Sequence, residues 1–181
     1  MSKNWVDDDD DMGRPNKLVH EGTDSNPNVA VQFAERRDLI TQVIFLTNST
    51  KVGAYACYRA VNLVVVDLPE GITIIGKSSF NQCHALRTVT FPKTLSLIDK
   101  WAFSDCRSLE VVDLLYTSIL EVKDFAFGHC SELKTVTLPD SLQTFGKTVF
   151  FGCILLYPTD KICHDNCAVA AHLRSLQQQL S

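Results

Sequence analysis

Four phenylalanines, Phe80, Phe103, Phe127 and Phe150, stand 23, 24 and 23 residues apart, and that interval governs much more than these positions. Cysteines keep it at Cys83, Cys106, Cys130 and Cys153, and leucines at Leu86, Leu109, Leu133 and Leu156. An alternating phrase follows: Leu86-x-x-Val89-x-Phe91, Leu109-x-x-Val112-x-Leu114, Leu133-x-x-Val136-x-Leu138. The same phrase stands upstream as Leu63-x-x-Val66-x-Leu68 and, in degenerate form, as Ile40-x-x-Val43-x-Phe45, while Gly53 precedes Gly76 by 23 residues. One period shared by so many positions requires a solenoid, in which each unit buries its apolar face against its neighbours. Five coils of 23–24 residues are expected, the first degenerate. The extra residue of the longer coil falls between Leu114 and Ile119, in a surface turn where an insertion costs little.

Each coil reads as a fixed series of short elements. The L-x-x-V-x-L phrase is a short strand that sends alternate side chains into the core. Pro69, Pro92 and Pro139 stop three of these strands, since proline has no N–H to donate to a ladder. A second apolar pair (Ile72/Ile75, Leu95/Ile98, Ile119/Val122, Leu142/Phe145) predicts another short extended run on the opposite wall. The A-F-x-x-C element, as in Ala102-Phe103-Ser104-Asp105-Cys106, predicts one helical turn with Phe and Cys facing inward. Gly76 and Gly146 mark tight corners before it. A cysteine that returns once per coil is then a compact hydrophobe in a small buried slot. Stacked at the strand spacing of about 4.8 Å, such thiols miss the Cβ separation of about 3.8 Å that a disulfide needs. The odd total of seven cysteines also speaks against a secreted disulfide framework.

The rest of the chain sets limits. Its 181 residues suit one domain plus a tail. A formal net charge of -4 lacks the basic footprint that nucleic acid demands. Residues 1–25 are polar, carry the run Asp7–Asp11, and offer too little to bury, so a disordered acidic tail is expected. This segment has no apolar stretch of a secretory signal, and no apolar run reaches the roughly 18 residues of a spanning helix. An intracellular, cytoplasmic protein that avoids membranes is the resulting expectation.

The repeated phrase A-F-x-x-C-x-x-L-x-x-V-x-L-P resembles the BspA-like branch of the leucine-rich repeat family over residues 40–158. The residues that carry the resemblance are Ser79-Phe80…Cys83…Leu86…Val89…Phe91-Pro92, Ala102-Phe103…Cys106…Leu109…Val112…Leu114, and Ala126-Phe127…Cys130…Leu133…Val136…Leu138-Pro139. The asparagine of the better-known leucine-rich pattern is missing; Gly71, Thr94, Thr117 and Ser141 hold its place. The resemblance implies an α/β repeat solenoid, a right-handed superhelix that displays surfaces to partners, and it implies no catalytic residues or cofactor.

A solenoid over residues 26–158 needs covered ends. Asn26-Pro27 is a good helix start, so a cap helix is expected over 27–38. Val169, Leu173, Leu176 and Leu180 form an apolar stripe on a second helix within 159–181. That stripe closes the last coil or serves as a weak self-association seam. Cys163, His164 and Cys167, with His172 further on, form the most ligand-like cluster, one that suits metal or redox sensing but lacks a second C-x-x-C pair. His84 and His129 flank ladder cysteines, yet neighbours in sequence should point to opposite sides, which argues against a Cys–His catalytic pair.

The outward strand positions fall into three columns: Val64/Arg87/Glu110/Lys134, Val65/Thr88/Val111/Thr135 and Asp67/Thr90/Asp113/Thr137. From these, Arg87, Thr88, Thr90, Glu110, Val111, Asp113, Lys134, Thr135 and Thr137 are the candidate contacts for a protein or peptide partner. The reading is a non-enzymatic interaction module; the alternatives are a metal or redox sensor and a structural piece of a larger assembly.

Overall fold

In each coil the apolar alternation produces two short strands, and stacking the coils turns them into two parallel sheets. The computed structural model describes residues 16–20, 37–45 and 49–156. One wall is built from β1 (Asn16–His20), β2 (Ile40–Phe45), β4 (Val65–Asp67), β6 (Thr88–Thr90), β8 (Val111–Asp113) and β10 (Thr135–Thr137). The other holds β3 (Lys51–Val52), β5 (Ile74–Ile75), β7 (Leu97–Ile98), β9 (Glu121–Val122) and β11 (Thr144–Phe145). Every pairing is parallel, with equivalent residues opposed: Val66 faces Val89, Val112 faces Val136, and Ile75 faces Ile98. The second wall is one continuous five-stranded sheet. The first divides into β1-β2-β4-β6 and β8-β10, and the division falls beside the strand that opens the 24-residue coil.

Among the described residues the architecture is a repeat solenoid of about four turns; five strands on the second wall bound four steps of the repeat. The core runs along its axis. Phe80, Phe103, Phe127 and Phe150 are fully buried and stack ring on ring, with centroids 5.0, 5.3 and 5.7 Å apart. In the first coil Cys57 stands 23 residues before Phe80, in the phenylalanine slot, and Phe45 abuts Phe80 edge-on at 6.5 Å.

The A-F-x-x-C element corrects the expected helical turn. No α-helix occurs among the described residues. Left-handed residues four apart break each segment: Tyr55 and Arg59, Ser78 and Gln82, Trp101 and Asp105, Phe125 and His129. A helix cannot pass through such positions, because each costs an L-residue about 1–2 kcal/mol. Inter-coil hydrogen bonds offset that cost. The amides of Trp101, Phe103 and Asp105 donate to the carbonyls of Asp124, Ala126 and Gly128 in the next coil. The alternate amides of Ala102 and Ser104 close turns within their own coil, on Asp99 and Trp101. This third side, the turn wall, is hydrogen-bonded along the solenoid much as the sheets are.

Hydroxyls do the work of the missing asparagine. Thr94 Oγ1 donates to the Ile72 carbonyl at 2.9 Å and accepts from the Gly71 amide at 3.0 Å, and Ser141 Oγ donates to the Ile119 carbonyl at 2.9 Å. Thr117 instead donates to Leu114 within its own coil.

The expected helical caps at 27–38 and 159–181 lie outside the described residues, apart from the 3-10 turn Arg37–Leu39 that leads into β2. Within the 1–25 tail, Asn16–His20 forms β1, parallel to β2; the remainder of that tail lies outside the described residues.

Candidate interaction surface

The strands of the first wall alternate outward, inward, outward, and this sets which side chains face away from the core. Val66, Val89, Val112 and Val136 point into the core, while Val65, Thr88, Val111, Thr135 and Asp67, Thr90, Asp113 point away. Thr137 is half-buried. Register brings the expected columns together: Val65 opposes Thr88, Asp67 opposes Thr90, Thr135 opposes Val111, and Thr137 opposes Asp113. Between β6 and β8 no ladder joins the two halves.

The third column is internally paired. Thr90 Oγ1 donates to Asp67 Oδ1 at 2.8 Å, and Thr137 Oγ1 donates to Asp113 Oδ1. Asp113 Oδ1 also accepts from the Leu115 amide at 3.1 Å, so one carboxylate anchors both the column and the following turn. In the first column Lys134 Nζ reaches Glu110 Oε2 at 3.0 Å. The Lys134 ammonium, through this hydrogen bond and then through its charge, holds the Glu110 carboxyl below the ordinary glutamate range; Arg87 adds a smaller pull of the same sign. The carboxylate expected between two cations thus bonds to only one of them. Because the pair is exposed, its stabilisation is small. Val64, Val65 and Val111 are the exposed apolar members of these columns, at 39%, 41% and 48%.

The four ladder cysteines are buried, as a once-per-coil filler requires, and each also donates. Cys83, Cys106, Cys130 and Cys153 direct Sγ to the carbonyls of Cys57, Phe80, Phe103 and Phe127, at 3.2, 3.3, 3.3 and 3.0 Å. Burial drives the Cys106 and Cys130 thiols far above their ordinary range, which leaves them protonated and poor nucleophiles. His129 rests edge-on against Phe151 at 5.3 Å, and His84 is pulled below its ordinary value by partial burial and then by Arg107, against an opposing pull from Asp105. Cys163, His164, Cys167 and His172 lie outside the described residues.

Sequence reasoning missed the outer face of the turn wall. Trp101 stacks on Phe125 at 6.3 Å, Phe125 meets Phe151 at 5.7 Å, and Lys77 sits over the Trp101 ring at 5.2 Å. The signal was present at the repeat interval, but Ser78 and Thr148 interrupt the column Tyr55, Trp101, Phe125 and hide its aromatic character.

Two parallel strand ladders, a stacked phenylalanine core and hydroxyls in place of an asparagine ladder define a leucine-rich repeat solenoid. Residues 40–162 match the BspA-type leucine-rich repeat region in six copies, and the chain belongs to that family. Among solved structures it is similar to a leucine-rich repeat protein from Bacteroides ovatus, with 27% identity and a TM-score of 0.61 over 66% of this chain and 30% of that one. A leucine-rich repeat protein from T. pallidum gives 26% identity and a TM-score of 0.59, over 77% of this chain and 56% of that one. A leucine-rich cell surface protein from Faecalibacterium prausnitzii, at 23% identity and a TM-score of 0.60, shares the fold; the match covers 78% of this chain and 41% of that one. The chain therefore spans 56% or less of the length of each of these relatives. No curated protein matches it in sequence. No helix among the described residues is long and apolar enough to cross a membrane.

Proposed function

We propose that the protein is a non-enzymatic interaction module whose first wall receives a protein or peptide partner. Repeat solenoids bury their apolar side chains between coils and leave whole sheet faces for recognition. The observation that carries the reading is the composition of the outward columns. They combine fixed hydrogen-bonded pairs, Thr90–Asp67 and Lys134–Glu110, with exposed Val65 and Val111. Such a surface is ordered before binding and loses little entropy on contact.

Size limits the affinity. From β2 to β10 the first wall has five strands, which at about 4.8 Å cover roughly 20 Å; a face of that width and one short strand deep offers about 400–500 Å², against roughly 800 Å² per partner in a standard interface. A short peptide, or a partner that also uses other parts of the chain, suits this area best. The compartment stays a proposal as well: the five buried cysteines among the described residues form no disulfide, which agrees with an intracellular setting, and cell fractionation tests it.

The experiment for the strand face is affinity capture with the full chain, followed by the same capture with Glu110→Lys and with Thr88→Arg. Both side chains are outward, so folding should be retained and capture lost. Capture that survives both substitutions places the partner elsewhere. A metal assay with and without Cys167→Ala tests the sensing alternative, and light scattering tests self-association.

A further inference from the structure

The turn wall carries a surface distinct from the strand wall. Lys77 Nζ sits over the Trp101 indole at 5.2 Å from the centroid, and the Phe125 ring stacks on the same indole at 6.3 Å and 23°. Beyond Phe125 lies Phe151, 40% exposed. Ring surface engaged by a cation and by a second ring is less open to a ligand, and ring edges carry the positive part of the aromatic quadrupole.

The flanking column has the same sign. Lys77, Lys100 and Lys147 occupy equivalent, exposed positions, with Asp124 between the last two. In the adjacent column Lys123 is neutralised by Asp99 at 3.1 Å. Lys100 and Lys147 make no ion pair among the described residues. A chain of formal net charge -4 thus places three exposed lysines and one aspartate in the column that flanks these rings.

We propose that this strip binds a short extended peptide bearing carboxylates on alternate residues. Charge complementarity selects the anion, and the contacts already made by the Trp101 ring disfavour a ligand held by stacking on that ring, as single-stranded bases are. Length agrees: Lys77 to Lys147 covers three coil steps, roughly 14 Å at about 4.8 Å each, which about five residues of extended chain match.

The test uses the full chain with Trp5→Phe, so that Trp101 is the sole indole reporter. It is titrated with a blocked pentapeptide alternating glutamate with leucine, and with the glutamine counterpart. The glutamate peptide should change Trp101 emission saturably and weaken with added salt. The Lys100→Glu/Lys147→Glu double variant should lower its affinity about tenfold, while Lys93→Glu, an exposed charge reversal away from this strip, leaves it unchanged. Three results overturn the proposal: no saturable change, equal binding of the glutamine peptide, or tighter lysine-dependent binding of a single-stranded oligonucleotide. Failure here leaves the strand-wall reading intact, because no strand-wall residue enters the titration.

Discussion

The Cys106 thiol donates to the carbonyl oxygen of Phe80, 3.3 Å away and one coil back, and the Cys106 amide in turn donates to the carbonyl of Phe103 within its own coil. A side chain chosen for its small apolar bulk thus also ties successive coils together. Cys106→Ala removes both the sulfur contacts and the donor, and should destabilise the fold by about 1–2 kcal/mol. Cys106→Ser should cost about 1–3 kcal/mol, because its hydroxyl sits on a shorter bond, farther from that carbonyl, in an apolar slot. Urea denaturation of the three proteins checks this; a serine variant as stable as the parent would show that volume and polarity of the slot count for nothing.

The same burial predicts a loss of stability in alkali. In the unfolded chain these thiols ionise near the ordinary value of 9.0, whereas in the folded chain Cys106 and Cys130 stay protonated well above it. Below 9.0 both states hold the proton and the full stability is present. Above it the unfolded state binds fewer protons, so the free energy of unfolding falls as pH rises. The slope is at most about 1.4 kcal/mol per pH unit for each such thiol. Urea midpoints followed through this range should drop, and Cys106→Ala should drop less steeply.

Ser79 stands where three other coils carry Ala56, Ala102 and Ala126 and the last carries Val149, and its fully buried Oγ finds no partner among the described residues. Ser79→Ala removes a desolvated hydroxyl and restores the repeat. The expected gain is about 1 kcal/mol, visible as a rise of a few degrees in the melting midpoint. A drop in the midpoint would mean that the hydroxyl has a hydrogen-bond partner.

Most of the fold was legible because a solenoid repeats its instructions. Phe80, Phe103, Phe127 and Phe150 announced the core, and Val66 through Val136 announced strand and register, since a one-residue slip would expose the whole inward set. The turn wall was misread for a local reason. Phe103 and Cys106 lie three apart, which suits a helical turn, yet the left-handed conformations of Trp101 and Asp105 arise from hydrogen bonds to the next coil. No property of Trp or Asp predicts them. The columns of the strand wall were legible for the same reason as the register; which members pair was not. Glu110 selects Lys134 over Arg87, and the break between β6 and β8 falls on the Arg87 side of that pair.

That choice can be read in solution. Lys134 keeps the Glu110 carboxyl below its ordinary value of 4.5, so the pair persists at neutral pH and is lost as pH falls through the lowered value. An NMR titration of the Glu110 side chain should give a midpoint below 4.5, and Lys134→Ala should move it back up. Arg87→Ala should move it less. The unfolding midpoint of Lys134→Ala should stay within error of the parent, since both partners face water. A larger effect from Arg87→Ala would reverse the assignment of the pair.

His129 lies directly over Gly152: a Cβ on that glycine would stand 2.5 Å from His129 Nδ1. Gly152 also has φ +76°, at the position whose counterparts Gln82, Asp105 and His129 are left-handed without being glycine. The column therefore tolerates a side chain in this conformation, and the imidazole is what reserves the space. Gly152→Ala should cost about 1–3 kcal/mol, the range for inserting a methyl where none fits. Much of that cost should vanish in a His129→Ala background, because the clash vanishes with the ring. A double-mutant cycle by chemical denaturation isolates the coupling, expected at about 1 kcal/mol or more. If the two substitutions are additive, the penalty at Gly152 comes from the backbone, and the packing of His129 across the last coil plays no part in it.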